Sequence, residues 1–111
     1  MFEKTISKDA DSLLKLLYGI YLKRTKNGMS KSSAKLFGNS KDVQKNYFPN
    51  ESIEDIDDLL IELQSNDFIQ AKNYDNIRMD ISLTSKAIVY MENKPKEFFS
   101  DLTDLVSKFI P

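Results

Sequence analysis

The segment ESIEDIDDLLIELQSNDFIQAKNYDNIRMDISL, residues 51–83, carries two hydrophobic periodicities in succession. In its first half, large aliphatic residues recur at three- and four-residue steps, which predicts an amphipathic helix over residues 52–66. Ser52 is placed to cap this helix, and Asp55 at the third helical position makes a carboxylate variant of the capping box. The predicted core stripe comprises Ile53, Ile56, Leu59, Leu60 and Leu63.

The second half of the segment has the alternation of a β-hairpin with one buried face. A short apolar run, Phe68 to Lys72, predicts a strand, and the polar residues 73–76 predict a turn. In the strand that follows, apolar and polar side chains alternate at a period of two. The apolar positions are Ile77, Met79, Ile81 and Leu83, and the polar ones are Arg78, Asp80 and Ser82.

Helices are predicted on both sides of the hairpin. A largely buried helix begins at Ser7 or Asp9 and runs to Lys26, where Asn27-Gly28 ends it. Short helices follow over Lys31–Phe37 and Lys41–Phe48. After the hairpin, Thr84 caps a helix that reaches Glu92, and Pro95 opens a last one. Because no flexible linker interrupts the 111 residues, we expect one domain over residues 1–111.

This order of elements is that of the winged helix-turn-helix superfamily. LLIELQSNDFIQA, residues 59–71, resembles the stretch in which such domains leave the recognition helix and enter the wing. ISLTSKAIVYMEN, residues 81–93, is similar to the second wing strand and helix start Leu-Thr-x-Lys-Gly of small bacterial or phage PadR-like, MarR-like and YjcQ-like proteins, with Ala87 where glycine is usual. The resemblance covers about residues 8 to 95 and implies an α+β winged helix with a two-stranded wing and an extra C-terminal helix, residues 95–111.

The resemblance implies that the helix over residues 52–66 enters the major groove of DNA while the wing contacts phosphates. Affinity for duplex DNA comes largely from Lys and Arg beside phosphates, and base reading favours Arg, Lys, Asn and Gln. Here the predicted exposed face of the helix carries carboxylates, which repel a duplex. The wing has only Lys72 and Arg78 as cations.

The two halves of the chain differ in charge although the net charge is only −1. Residues 1–50 carry ten Lys and Arg against four Asp and Glu, and residues 51–111 carry six against thirteen. Such asymmetry is typical of a nucleic-acid face, of a charged partner or of self-association, and folding that interleaves the charges explains it equally well. The candidate nucleic-acid-binding residues are Lys23, Arg24, Lys26, Lys31, Lys35, Lys41, Lys45, Lys72 and Arg78.

The acidic helix offers an alternative surface for a basic protein partner or for the basic half of a second copy. Its candidate residues are Glu54, Asp57, Asp58, Ile61 and Glu62. Ile61 is predicted to lie opposite the core stripe, where an apolar side chain among carboxylates can serve as a small contact point. A solvated acidic face is the other interpretation of the same residues.

The C-terminal helix is the candidate dimer surface. PadR-like and MarR-like resemblance implies a dimerising terminal helix, and this one carries six large apolar residues, Phe98, Phe99, Leu102, Leu105, Val106 and Phe109. The same residues could instead close the monomer's own core against the first helix.

Composition excludes most catalytic and metal chemistry. The chain has no cysteine and no histidine, which removes disulfides, thiolate or imidazole metal ligands and histidine-based triads. We expect no enzyme activity, no cofactor and no metal. No apolar run approaches a membrane span and the N-terminus lacks a signal-peptide core, so a cytoplasmic location is expected. The function that the resemblance implies is that of a small DNA-associated, transcription-regulator-like protein. The alternative is a protein-interaction module that keeps the winged-helix fold without binding DNA and uses the acidic helix over residues 52–66.

Overall fold

The computed structural model describes residues 6–108, which form six helices and a three-stranded antiparallel sheet and confirm the α+β class. The elements are α1 (Lys8–Lys26), α2 (Lys31–Ala34), β1 (Leu36–Gly38), α3 (Ser40–Tyr47), α4 (Ile53–Ser65), β2 (Ile69–Tyr74), β3 (Ile77–Leu83), α5 (Ser85–Glu92) and α6 (Lys96–Ser107).

Helix α1 lies at the centre of the core, as its wide apolar stripe predicts. The Ser7 hydroxyl caps it by accepting the backbone N–H of Ala10 at 3.1 Å. Its buried positions include every residue from Leu16 to Tyr21. Burial raises the pKa of the Tyr18 hydroxyl above its ordinary value of 10.0, and the carboxylate of Glu92 and the hydroxyl of Tyr21 act in the same direction.

The prediction of a helix over Lys31–Phe37 is wrong in its second half. Helix α2 is a single turn that ends at Ala34, and Leu36–Gly38 forms an edge strand. Leu36 pairs with Ser82 of β3, and the backbone N–H of Leu83 donates to the Lys35 carbonyl at 3.0 Å. The alternation of exposed Leu36, buried Phe37 and exposed Gly38 is that of a strand. A three-residue strand has too short an alternation to reveal itself in the sequence.

Strand β3 is the middle strand of the sheet, whose order is β1-β3-β2. The hairpin turn between β2 and β3 consists of Asp75 and Asn76, whose positive φ values of 37° and 69° suit a two-residue hairpin loop. The register of the hairpin shifts between Gln70 and Lys72, where Asp80 on the opposite strand has φ of 52°. A bulge of this kind bends the strand locally and increases its twist.

The hairpin buries one face only near its base. Ile69, Ile81 and Leu83 are at most 2% exposed, whereas Ile77 and Met79, beyond the bulge, are half-buried. Strand β2 extends to Tyr74, two residues past its predicted end. The tip of the hairpin therefore projects from the core.

Helices α3 and α4 pack against each other and are joined by a short turn. Asn39 and Asp42 form a reciprocal capping box at the start of α3. Ser52 caps α4 as predicted, accepting the N–H of Asp55 at 3.0 Å. The side-chain amide of Gln44 donates to the Glu51 carbonyl at 2.9 Å, which holds the turn between the helices.

Helix α6 packs on α1 over Gly19. A methyl group added at Gly19 would collide with the Val106 side chain and would lie 3.1 Å from a Leu102 methyl carbon. The absence of a side chain at Gly19 therefore sets how closely the two helices approach.

Candidate functional site

Helix α4 exposes a carboxylate surface, as the sequence predicts at most positions. Glu54, Asp58 and Ile61 are exposed, Ile61 at 36%. Glu62 is half-buried because its carboxylate accepts the Ser7 hydroxyl at 2.9 Å and the Ser7 backbone N–H. Helix α4 contains no basic residue, so no side chain of the helix itself offsets these charges.

The prediction that Asp57 belongs to this exposed surface is wrong. Asp57 is 5% exposed and lies at a junction of three elements. Its carboxylate accepts the Ser40 hydroxyl of α3 at 2.5 Å and the Arg78 backbone N–H of β3 at 3.1 Å. The Arg78 guanidinium lies beside the same oxygen, with its Nε at 3.6 Å. The helical period places Asp57 between the core stripe and the solvent, and a polar partner on α3 turns it inward.

A groove of about 470 Å³ lies between the N-terminal half of α1 and the start of α4. We call it the acidic groove. Carboxylates form its rim: Asp9, Glu51, Asp55 and Asp58. Apolar side chains form its floor: Leu13, Phe48, Ile56 and Leu59.

All four rim carboxylates are exposed, and none has a cation within 4.0 Å among residues 6–108. The acids that do form ion pairs in this range are Asp11, Asp57 and Asp80. The groove therefore joins an unneutralised negative rim to an apolar floor. Asp9 and Glu51 were not among the sequence-predicted site residues, because α1 meets α4 only through long-range packing that no local pattern reveals.

Both arginines of the predicted nucleic-acid set have structural roles. Arg24 donates to the carbonyls of Ala34 at 3.2 Å and Leu36 at 2.7 Å, and its guanidinium lies 4.9 Å from the centre of the Phe37 ring. The Arg78 side chain is 11% exposed beside Asp57. Both guanidinium groups are therefore engaged by groups of the protein itself, which leaves them less available for a phosphate contact.

The lysines of the predicted set differ in exposure. Lys23 and Lys35 are half-buried. Lys72 on the hairpin is exposed and forms an ion pair with Asp80 at 3.4 Å. The other exposed lysines are Lys26, Lys31, Lys41 and Lys45. Lys41 and Lys45 stand one helical turn apart on α3, so they share a face.

The predicted dimer residues of α6 serve largely in the monomer. Leu102 and Val106 are buried against α1, at 4% and 6% exposure, while Phe98, Phe99 and Leu105 are half-buried. A recess of about 420 Å³, lined in part by Leu22 and Phe99, opens beside the contact of α6 with α1. Phe109 lies outside the described residues. Self-association through this helix stays a prediction.

No group of three or more acidic side chains within residues 6–108 is arranged to hold a metal ion. In the same range, no helix combines the length and the hydropathy needed to cross a membrane. Comparison with protein-family models, with curated proteins and with solved structures finds no match for this chain.

Proposed function

We propose that the protein is a winged helix in which α3 and α4 form the helix-turn-helix and β2 and β3 form the wing. The order of helices around a hairpin supports this assignment, and so does the resemblance of residues 59–71 and 81–93 to the corresponding stretches of the superfamily. In this assignment α4 occupies the place of a recognition helix, with α5 and α6 added after the wing. Fold alone does not fix function, so the function rests on the surface of α4.

We propose that this winged helix is a non-enzymatic protein-interaction module and that its α4 side binds a basic polypeptide. The observation that carries the proposal is the set of four carboxylates around the acidic groove that have no cationic partner among residues 6–108. A helix that enters the major groove of DNA needs cations beside the phosphates. Helix α4 has no cation, and the guanidinium nearest to it, that of Arg78, is engaged by Asp57. Charge complementarity with a basic partner speeds encounter and excludes acidic partners.

A second candidate function is association with DNA through a different face. The observation that favours it is the exposure of Lys31, Lys41 and Lys45, which have no carboxylate partner among residues 6–108. These lysines lie on α2 and α3, so the duplex would contact the N-terminal half of the chain. Such a contact would be mainly to phosphates and would weaken steeply with salt.

One binding experiment separates the two functions. Fluorescently labelled arginine-rich peptide and labelled random duplex DNA are each titrated with the protein at low salt. The protein-interaction proposal expects peptide binding that the double reversal Asp55→Lys, Asp58→Lys at the rim of the groove abolishes and that the matched reversal Asp101→Lys, Asp104→Lys on α6 leaves intact. The DNA candidate expects duplex binding that Lys31→Glu with Lys41→Glu abolishes. Duplex binding without peptide binding would reject the protein-interaction proposal.

A further inference from the structure

We infer that the acidic groove binds an amphipathic basic segment of a partner protein, which inserts a large apolar side chain onto the groove floor while flanking Lys or Arg residues meet the rim. The inference rests on the proposed function and deepens it, because it names the chemistry of the partner and the place where it sits. It concerns the groove between α1 and α4, which Glu54 and Ile61 do not line.

The floor of the groove calls for an apolar side chain. Within the floor, Leu13 and Ile56 are at most 2% exposed, while Phe48 and Leu59 are half-buried. A purely charged segment would cover the rim and leave the half-exposed side chain of Leu59 in water. An apolar side chain that enters the groove removes its own surface and that of Leu59 from water, which is favourable in proportion to the area buried.

The rim requires that the apolar side chain be flanked by cations. The carboxylates come from three different segments, with Asp9 on α1, Glu51 in the turn before α4, and Asp55 and Asp58 on α4. They surround the floor, so any segment that lies in the groove passes between them. An acidic or neutral segment would lose hydration of these carboxylates without replacing it, whereas Lys or Arg side chains satisfy them.

The arrangement of the groove suits a basic polypeptide and does not suit a metal ion. The described acidic side chains include no group arranged to hold a cation in common, and the apolar floor offers a metal no ligands. Cationic groups carried on a polypeptide can reach the separate carboxylates one by one. A binding site with an apolar centre and a charged rim is the usual anatomy of a protein interface.

The test uses three short peptides of equal length, titrated against the full chain by fluorescence anisotropy. The first alternates lysines with leucines in an amphipathic pattern, the second replaces the leucines by serine, and the third replaces the lysines by glutamate. We expect the first peptide to bind about tenfold more tightly than the second. The third peptide should not bind.

Two matched pairs of variants locate the contact. Ser12→Trp fills the groove from an exposed position of α1 without changing a charge, and Ser100→Trp places the same side chain at an exposed position of α6. Glu51→Lys reverses a rim charge, and Glu54→Lys makes the same reversal at an exposed residue that does not line the groove. We expect Ser12→Trp and Glu51→Lys each to lower the affinity for the leucine-containing peptide about tenfold. Their controls should change this affinity less than about twofold.

Each outcome decides the inference. Equal affinity for the leucine and serine peptides, or equal effects within both variant pairs, would overturn the groove as the site while leaving a basic partner on α4 possible. Loss of binding by all peptides, including the arginine-rich one, would overturn the proposed function together with the inference. If Ser12→Trp lowers the melting temperature, the comparison of Glu51→Lys with Glu54→Lys alone decides.

Discussion

Ser40 on α3 and Asp57 on α4 are joined by a hydrogen bond of 2.5 Å that ties the two helices together in the interior. Ser40 is fully buried, and its hydroxyl also accepts the backbone N–H of Arg78 at 2.9 Å. The three residues therefore fix α3, α4 and β3 at one point. In the proposed winged helix, this point sets the angle between the helix-turn-helix and the wing.

Replacing Asp57 by alanine should destabilise the protein strongly. The substitution leaves the Arg78 guanidinium buried without its counter-charge, and removing one partner of a buried charge pair costs roughly 3–5 kcal/mol. Because the Arg78 side chain is 11% exposed and keeps some hydration, we expect about 3 kcal/mol in the free energy of unfolding. Urea denaturation measures it, with the exposed neighbour Asp58→Ala as control at about 0.5 kcal/mol or less. Equal losses for the two variants would refute the buried role of Asp57.

Arg24 should contribute to stability and not to DNA affinity. Its guanidinium donates to two carbonyls and lies over the Phe37 ring, so Arg24→Ala should cost about 2 kcal/mol. Lys26→Ala, also in the last turn of α1, is the matched control because both substitutions lose a similar interaction with the helix dipole. Thermal or urea unfolding compares them. A stability loss no larger than that of Lys26→Ala would show that Arg24 is free for other contacts.

Gly19→Ala should loosen α6 from α1. Alanine is a better helix former than glycine by about 1 kcal/mol, but its methyl group would collide with Val106, and overpacking typically costs about 1–3 kcal/mol. We expect Gly19→Ala to lower the free energy of unfolding by about 1 kcal/mol in the unchanged protein. The same substitution made in a Val106→Ala background should cause no such loss, because the colliding methyl group is gone. A double-mutant cycle from urea denaturation gives the coupling. Additive effects would mean that α6 does not rest on Gly19.

Self-association, if it uses α6, should depend on Phe98 and Leu105, which remain half-buried after Leu102 and Val106 have packed on α1. We expect the intact chain to sediment as a dimer at concentrations on the order of tens of micromolar, and Phe98→Ser with Leu105→Ser to sediment as a monomer. Deleting the helix would be a poor test, because it also exposes the core around Gly19. A monomeric intact chain would contradict the dimer prediction.

Much of the fold was predictable because the longer elements carry periodic hydrophobic patterns and recognisable capping residues at their ends. Ser52, Thr84 and Pro95 were expected at the helix starts where they occur, and the alternation in residues 77–83 identified β3. Strand β1 was not predictable, because its identity depends on pairing with a strand more than forty residues later.

The candidate site was predictable only in part, for the same physical reason. The acidic character of α4 can be read locally, but the inward position of Asp57 depends on Ser40 and Arg78. The groove depends on Asp9 and Phe48 meeting α4 in space. Likewise, a count of cations cannot tell that Arg24 is used to hold β1 in place.

Amide chemical-shift mapping of the isotope-labelled chain shows whether the acidic side of α4 binds a basic polypeptide or duplex DNA. The arginine-rich peptide and the random duplex are added separately at the same low salt. We expect the peptide to shift the amides of Asp9, Glu51, Asp55 and Asp58 and the duplex to leave the amides of α4 unchanged. Duplex-induced shifts along α4 and the β2–β3 hairpin, with none from the peptide, would contradict the protein-interaction proposal.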